Sequence, residues 1–319
     1  MKKITVLGGS GFVGSSLVAK LDAAGYQVTV LTRRRETAKH LILLPKVHVV
    51  ECELNDQQHL KNLLQGSDVV INLVGILHQT GKSGFEQMHH QLPRRIAQIC
   101  DELGIDRLLH MSALQATQSA PSQYLRSKAA GEAAINEFSK KLNITIFKPS
   151  IIFGRGDNFF NLFATLVKWM PMVLLAKPDT KFQPIWVEDV ANCFVNAVEN
   201  TATYGKTYEL GGPQVYTFKA LVQKIMNVLN IQRPIIGLGD RLSFMQGFFM
   251  ELLPVQLMSR DNVRSLRVDS VTAHALAPEL GVSLMPLEAV VPDYIVNATP
   301  RGAYDGFRSA AGRAINAKR

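Results

Sequence analysis

The stretch that decides the fold is KITVLGGSGFVG, residues 3–14. It passes from a run of β-branched and apolar residues directly into three spaced glycines, Gly8, Gly11 and Gly14. An amphipathic segment follows as far as Ala24. We therefore expect a strand, a tight turn and a helix in that order, which is how a βαβ unit begins.

The three glycines have separate mechanical tasks. Gly8 permits the tight turn, Gly11 lets a ligand approach the backbone without a Cβ in the way, and Gly14 lets the helix pack closely on the strand. The helix N-terminus then presents N–H groups and the positive end of its dipole to a phosphate. This turn, placed between a strand and a helix, predicts a dinucleotide site. The alternative is a vestigial, empty site.

The chain repeats the alternation of short β-branched runs and longer amphipathic segments to about residue 150. That pattern predicts an α/β fold, a Rossmann-type doubly wound parallel sheet with a smaller C-terminal α/β lobe. We expect residues 1–150 to form the nucleotide-binding domain, its sheet completed by 182–212, and 151–319 to form a substrate or partner lobe. Helices are expected at 187–199 and from Thr217, as the cap, to Leu229. The expected strands are 3–7, 27–31, 47–50, 68–73, 107–111, 144–147 and 208–210.

Composition narrows the class of protein. The chain carries 35 basic and 26 acidic residues, a net charge of +9, which favours anionic partners. No basic stripe is interleaved with aromatic residues, so a nucleic-acid groove is not expected. Three cysteines without a C-x-x-C spacing predict neither a disulfide framework nor a zinc site. Because no apolar signal segment opens the sequence, we expect a cytoplasmic protein.

The end of the second strand selects between the two nicotinamide dinucleotides. NAD-dependent proteins place an acidic residue there, which bonds the ribose 2′-hydroxyl. This chain instead has Leu31-Thr32-Arg33-Arg34-Arg35. An arginine can bond a 2′-phosphate bidentately, whereas a carboxylate would repel it. The sequence therefore favours NADP(H), held by Arg33 and Arg34, and NAD(H) is the alternative if these arginines form only a solvated loop.

A second constellation carries acid–base chemistry. Tyr124 and Lys128 are four residues apart and share one face of a helix, and Ser112 follows a predicted strand. A lysine ammonium beside a phenol lowers the phenol pKa, so that the tyrosine can act as acid or base, while a serine hydroxyl positions the substrate oxygen. The pattern predicts hydride-transfer chemistry at a carbonyl or an alcohol.

Together these motifs resemble the extended and atypical short-chain dehydrogenase/reductases, the NAD-dependent epimerase/dehydratase group. The resemblance covers about residues 3–220. It rests on the glycine turn and the Tyr–Lys pair, and on Asn72 to Gly75 (NLVG), Lys148 to Gly154 (KPSIIFG) and Trp186 to Ala191 (WVEDVA).

This resemblance implies a catalytic set of Ser112, Tyr124 and Lys128. It also implies cofactor contacts, which are Gly8, Gly11, Phe12 and Val13 at the pyrophosphate, Arg33 at the adenosine phosphate, Val74 and Gly75 at the ribose, and Tyr124, Lys128 and Pro149 at the nicotinamide. A nucleotide-sugar substrate is disfavoured, because the second strand lacks its acidic end and the stretch at Ser112 reads MSAL.

Two stretches, YLRSKAAGE at 124–132 and FGRGDNF at 153–159, are similar to a narrower branch of the group. That branch contains the nucleotide-binding accessory subunit of mitochondrial respiratory complex I and its bacterial relatives, and is similar to proteins linked with quinone biosynthesis. The resemblance implies tightly held NADPH without established turnover. It also implies a respiratory-complex partner and a position peripheral to the inner membrane.

Two functions of different kinds therefore stay open. One is an oxidoreductase or epimerase that acts on a carbonyl or alcohol of a small-molecule, lipid-like or quinone-related substrate. The other is a non-catalytic protein that holds NADPH as an accessory, assembly or redox-sensing component of a membrane respiratory complex. No oligomeric state is predicted.

Three further features have alternative interpretations. Residues 242–258 are apolar but too short to span a bilayer, so they form a helix packed on its lobe or on a second subunit, or they contact a membrane interface together with the basic residues beyond 300. Asp189 is expected to cap its helix. The histidines could bind a metal only with a third ligand, so satisfied or surface histidines and no metal site are expected at His89, His90 and His110.

Overall fold

The computed structural model describes residues 1–77, 84–251 and 258–296. Within these ranges the strands are β1 Lys3–Leu7, β2 Gln27–Thr32, β3 Val47–Glu51, β4 Val69–Asn72, β5 Arg107–Met111, β6 Asn143–Pro149, β7 Ile152–Phe153, β8 Val173–Ala176, β9 Lys181–Phe182, β10 Ile185–Trp186, β11 Lys206–Leu210, β12 Tyr216–Thr217 and β13 Ile235–Leu238. The α-helices of the same ranges are α1 Phe12–Ala23, α2 Gln57–Leu64, α3 Leu92–Leu103, α4 Gln123–Asn136, α5 Asn158–Trp169, α6 Val187–Ala197, α7 Phe218–Leu229, α8 Asp240–Glu251, α9 Arg260–Ser265 and α10 Leu287–Ile295.

Seven of these strands form one parallel sheet in the order β11-β6-β5-β4-β1-β2-β3. The chain winds outward from β1 to β3 and then crosses back, so that β4 pairs with the other side of β1. In doubly wound sheets the crevice at the carboxyl ends of the strands on either side of such a reversal is where ligands bind. The expected Rossmann-type fold is confirmed, with β1 and β4 at the reversal.

Both faces of the sheet are covered by helices. Val6 and Val30 point to the face where α1 and α6 pack. Their neighbours Leu7 and Leu31 point to the opposite face, which is covered by α2 and α3. Because successive residues of a strand alternate between faces, strands buried on both sides need the nearly unbroken apolar runs that this sequence has.

The second lobe packs α5, α7 and α10 around a core that includes Phe160 and Leu221. Strands β8 and β13 pair in parallel beside this core. The side chain of Thr217 accepts a hydrogen bond from the Ala220 N–H at 3.1 Å, and α7 ends at Leu229, so the predicted cap and helix are confirmed. None of the helices in the described residues is long and apolar enough to cross a bilayer.

One prediction about this region is wrong, one falls partly outside the described residues, and one falls wholly outside them. Asp189 does not cap α6, because the helix already begins at Val187; its carboxylate accepts the N–H of Met285 at 2.8 Å instead. Of the segment 242–258, the structure describes 242–251 within α8 and Met258. The basic tail beyond residue 300 lies outside the described residues.

Candidate functional site

The turn between β1 and α1 has the close approach that its glycines predict. Gly8 has a positive φ of 79°, and its carbonyl accepts the Gly11 N–H at 3.1 Å. A Cβ on Gly14 would lie 2.3 Å from the Gly8 carbonyl oxygen, so only glycine lets α1 begin this close to the strand. Gly11 is the N-cap residue and offers no side chain to the first N–H groups of α1. Those groups are therefore suited to bind a phosphate.

The end of β2 lies against the same turn. The buried hydroxyl of Thr32 is 3.0 Å from that of Ser10, and it receives the Arg34 N–H at 3.4 Å. Arg33 and Arg34 are exposed, and within residues 1–77, 84–251 and 258–296 neither guanidinium forms an ion pair. Two uncompensated cations thus lie next to the glycine turn.

The loop after β4 is fixed by side chains on both sides. Asn72 accepts the Val74 N–H at 3.1 Å, and its amide nitrogen lies 3.2 Å from Nδ1 of His110. The Ile76 N–H donates to Nε2 of His89 at 3.0 Å. These bonds hold the backbone of residues 74–76 at the carboxyl edge of the sheet, where the resemblance puts a ribose.

His89 joins this loop to α4. Its Nε2 accepts from a backbone N–H, so the ring proton is on Nδ1, which donates to Ser127 Oγ at 2.8 Å. The Ser127 hydroxyl then donates to the carbonyl of Tyr124 at 2.7 Å. Burial, reinforced by the charge of Lys128, lowers the pKa of His89 to about 2, so the ring is neutral. Both ring nitrogens of this buried histidine are hydrogen-bonded, as expected. His89 lies in a π-helical turn, Glu86–Gln91, and connects the loop after β4 to α4.

Lys128 is buried under the loop after β4. Its ammonium donates to the Met111 carbonyl at 3.2 Å and lies 3.2 Å from the point that a Cβ on Gly75 would occupy. Burial lowers the pKa of Lys128 to about 8, against the opposing effect of the Glu132 carboxylate. A cation thus lies directly beneath residues 74–75.

Tyr124 does not have the lowered pKa that its spacing from Lys128 predicts. Its ring packs edge-on against Phe85 and His89, with centroids 5.9 and 5.5 Å away. Burial raises the pKa of Tyr124 to about 12. The expectation is wrong because the loss of phenolate hydration dominates, while the Lys128 ammonium is directed at the Met111 carbonyl.

Ser112 is held by a pair of charges that the sequence analysis did not single out. Its hydroxyl donates to the carboxylate of Glu132, which also bonds Lys148 Nζ at 3.2 Å. Lys148 donates in addition to the Ala116 carbonyl at 3.0 Å. The Ser112 hydrogen is thereby committed to Glu132, which leaves the oxygen lone pairs to accept a bond from a ligand. Glu132 could have been found, because it lies four residues after Lys128 on the same helix face.

The predicted residues converge on one edge of the molecule, at the carboxyl ends of β1, β2, β4, β5 and β6 and on α4. The residues that follow β1 are Gly8, Gly11, Phe12, Val13 and Gly14, and those that follow β2 are Arg33 and Arg34. Val74 and Gly75 follow β4, Ser112 follows β5, and Pro149 ends β6. Helix α4 carries Tyr124 and Lys128. Asp261 was missed: it accepts the Tyr124 N–H at 2.9 Å from far along the chain, and no local pattern marks it.

A doubly wound sheet with a glycine turn and a Tyr–Lys helix at its carboxyl edge defines a protein of the short-chain dehydrogenase/reductase type. Residues 4–211 match the model of the NAD dependent epimerase/dehydratase family, and the chain belongs to that family. Its members bind a nicotinamide dinucleotide. The crowding at Gly14 and the uncapped start of α1 fit the pyrophosphate of such a cofactor.

Individual relatives differ in what their names describe. The chain is 31% identical over 300 residues to NADH dehydrogenase (ubiquinone) 1 alpha subcomplex subunit 9, mitochondrial, of Arabidopsis thaliana, covering 90% of this chain and 73% of that protein. It is 28% identical over 188 residues to ceramide reductase of Caulobacter vibrioides, covering 59% and 58%. UDP-glucose 4-epimerase of Thermotoga maritima superposes with a TM-score of 0.71 over 97% of this chain and 99% of that one, at 15% identity, a likeness of fold alone.

Proposed function

We propose that this protein is an NADP(H)-dependent oxidoreductase or epimerase that acts on a carbonyl or an alcohol. The observation that carries the proposal is the position of Tyr124 and Lys128 on one helix face, at the same sheet edge as the glycine turn. Lys128 lies beneath Gly75, and Tyr124 packs against His89, which binds the same loop at Ile76. When bound, a nicotinamide would supply or accept the hydride that the substrate carbon gains or loses. Tyr124 then gives a proton to the substrate oxygen or takes one from it.

The residues at this edge account for each part of the cofactor. The N–H groups of Phe12 and Val13 and the bare backbone of Gly11 receive the pyrophosphate, while Gly8 and Gly14 let the turn and α1 pack closely. Val74 and Gly75 border the nicotinamide ribose. Lys128 and Pro149 complete the nicotinamide side. Exposed Arg33 and Arg34, together with the lack of an acid at the end of β2, support NADP(H) over NAD(H).

The bonding of Ser112 bears on the substrate. Because its hydrogen is donated to Glu132, the oxygen is oriented to accept a bond from a substrate hydroxyl rather than to donate one to a carbonyl. This arrangement favours an alcohol as the bound form. A lipid-like or quinone-related substrate is supported by the similarity to ceramide reductase and by the exposed apolar side chains of the second lobe.

A second, non-catalytic function is favoured by the environments of Tyr124 and Ser112. A tyrosine whose pKa is raised to about 12 and a serine that donates to Glu132 are poorly prepared for proton transfer. The protein would then hold NADPH as an accessory, assembly or redox-sensing component of a respiratory complex, as the name of its Arabidopsis relative suggests. In either function we place it in the cytoplasm, peripheral to the inner membrane.

Complementation of a strain that lacks the protein tests the catalytic proposal. Tyr124→Phe removes the proton donor and leaves the glycine turn intact, so we expect about 100- to 10,000-fold loss of rate with little change in NADPH affinity. Gly11→Val blocks the pyrophosphate and should fail under both functions. Full rescue by Tyr124→Phe together with failure of Gly11→Val would establish the non-catalytic function. Mass spectrometry of copurifying small molecules would identify the cofactor and any ligand.

A further inference from the structure

Helix α8 has the reverse of the pattern expected for a helix on the surface of a soluble protein. Its buried residues are the small Ser243 and Gly247. Its exposed residues include Leu242, Phe248 and Phe249, the last with 59% of its surface exposed. A surface helix ordinarily turns its large apolar residues inward. The outward stripe of α8 is therefore suited to contact something apolar outside the lobe.

The apolar surface continues beyond α8. Leu174 on β8 and Ile236 on β13 are register partners, and both are exposed. Gln246 of α8 donates to the Leu174 carbonyl at 3.1 Å, which joins the helix to this strand pair. The chain enters β8 from Trp169, whose side chain is 82% exposed. We call this surface the apolar face; it consists of Trp169, Leu174, Ile236, Leu242, Phe248 and Phe249.

Cations border the apolar face. Lys168 precedes Trp169 and Arg241 precedes Leu242, and neither cation forms an ion pair within the part of the chain that the structure describes. The Arg260 guanidinium lies 5.3 Å from the ring centroid of Phe248. The acids of α8 and α9 are already paired, Asp240 with Lys177, Glu251 with Arg260 and Asp261 with the α4 amides and Arg264. The border is thus positive around an apolar and aromatic centre.

We propose that the apolar face inserts into the interfacial region of a bilayer that contains anionic phospholipid. Exposed Trp and Phe side chains are favoured at the level of the headgroups, and the unpaired Lys168 and Arg241 can bond lipid phosphates. A second copy of the chain is a poorer occupant, since a two-fold contact would bring the like charges of Lys168 and Arg241 together. The inference concerns the second lobe and does not depend on turnover at the candidate site.

Flotation of the full chain with phosphatidylcholine–phosphatidylglycerol vesicles tests the proposal, with pure phosphatidylcholine vesicles alongside. We expect the protein to float with the anionic vesicles at low salt and to be largely released by high salt, because screening weakens the contribution of the cations. The double variant Phe248→Ser/Phe249→Ser should lower the partition coefficient by at least about tenfold. Leu43→Ser is the matched control, because Leu43 is 85% exposed but lies in the nucleotide-binding half.

Unchanged NADPH affinity in both variants would show that the fold and the cofactor site are intact. A protein that stays with the soluble fraction overturns the inference, as does equal flotation with neutral vesicles. Flotation that the double variant retains would assign binding to the basic tail and reject the apolar face. Light scattering that shows a dimer dissociated by Phe248→Ser/Phe249→Ser would make the face a subunit interface and would also overturn it.

Discussion

The carboxylate of Asp261, on α9 in the second lobe, accepts a hydrogen bond from the backbone amide of Tyr124 at the start of α4, at 2.9 Å. Its other oxygen accepts the Gln123 amide at 2.8 Å, and Ser122 caps the same helix through Leu125 at 3.2 Å. An anion at a helix N-terminus is stabilised by the free N–H groups and the dipole. The second lobe thereby anchors the helix that carries the candidate catalytic residues.

This anchor can be measured as stability. Asp261→Ala should lower the free energy of unfolding by about 1–3 kcal/mol, because two amides lose a charged acceptor. Asp261→Asn, which keeps one acceptor oxygen, should cost less. Urea denaturation measures both, with Asp179→Ala as a control, since Asp179 is exposed and bonds none of the other described residues. Equal stabilities of the Asp261→Ala and Asp179→Ala proteins would contradict the assignment.

The glycine turn makes a steric prediction. Gly14→Ala would put a methyl group 2.3 Å from the Gly8 carbonyl oxygen, so α1 must shift and the pyrophosphate donors with it. We expect NADPH binding to be lost and the protein to be destabilised by about 1–3 kcal/mol or more. Gly239→Ala is the control, because a Cβ there meets no atom within 4 Å. Calorimetric titration and thermal melting would show the effect; a Gly14→Ala protein that binds NADPH normally would refute it.

The choice of cofactor is tested at the end of β2. NADPH should bind more tightly than NADH, because Arg33 and Arg34 can pair with the 2′-phosphate and no acid competes there. Arg33→Asp should reverse the preference by repelling that phosphate. Calorimetric titration of both cofactors measures the ratio. Equal affinities in the unmodified protein would rule out the NADP(H) assignment.

Lys128 makes cofactor affinity depend on pH. Its pKa is lowered from 10.5 to about 8, so the ammonium that lies beneath Gly75 loses its proton as the pH rises through about 8. NADPH affinity should therefore fall between about pH 7 and pH 9, because a cation near the cofactor is lost. His89 and His110, with pKa values of about 2 and 3, contribute no step near pH 6. Fluorescence titration of NADPH measures this, and a Lys128→Met protein with the same slope would contradict the assignment to Lys128.

The sequence predicted those parts of the molecule that local patterns encode. Strands 3–7 and 107–111 were placed to the residue, because their apolar runs stop at turn signals. The glycine turn and the helix of Tyr124 and Lys128 have fixed spacings, and both were found. The sequence did not predict the electrostatics of the site, since the partial burial of Tyr124 and the bond from Ser112 to Glu132 depend on tertiary packing. Asp261 was not predicted either, because it lies 137 residues beyond Tyr124, whose backbone amide it accepts.

The position of β11 at the edge of the sheet has a consequence for how the protein folds during translation. β11 pairs with β6 in parallel, and the Ser150 N–H donates to the Leu210 carbonyl at 2.8 Å. In the sequence, however, α5 and α6 lie between these two strands. Until Leu210 has emerged, the nascent sheet ends in an unpaired, apolar β6, the kind of edge that recruits other chains. The sheet of the nucleotide-binding half is therefore complete only once residue 210 has been translated, and we expect a fragment that stops at Ser150 to aggregate more readily than the full chain, as light scattering would measure.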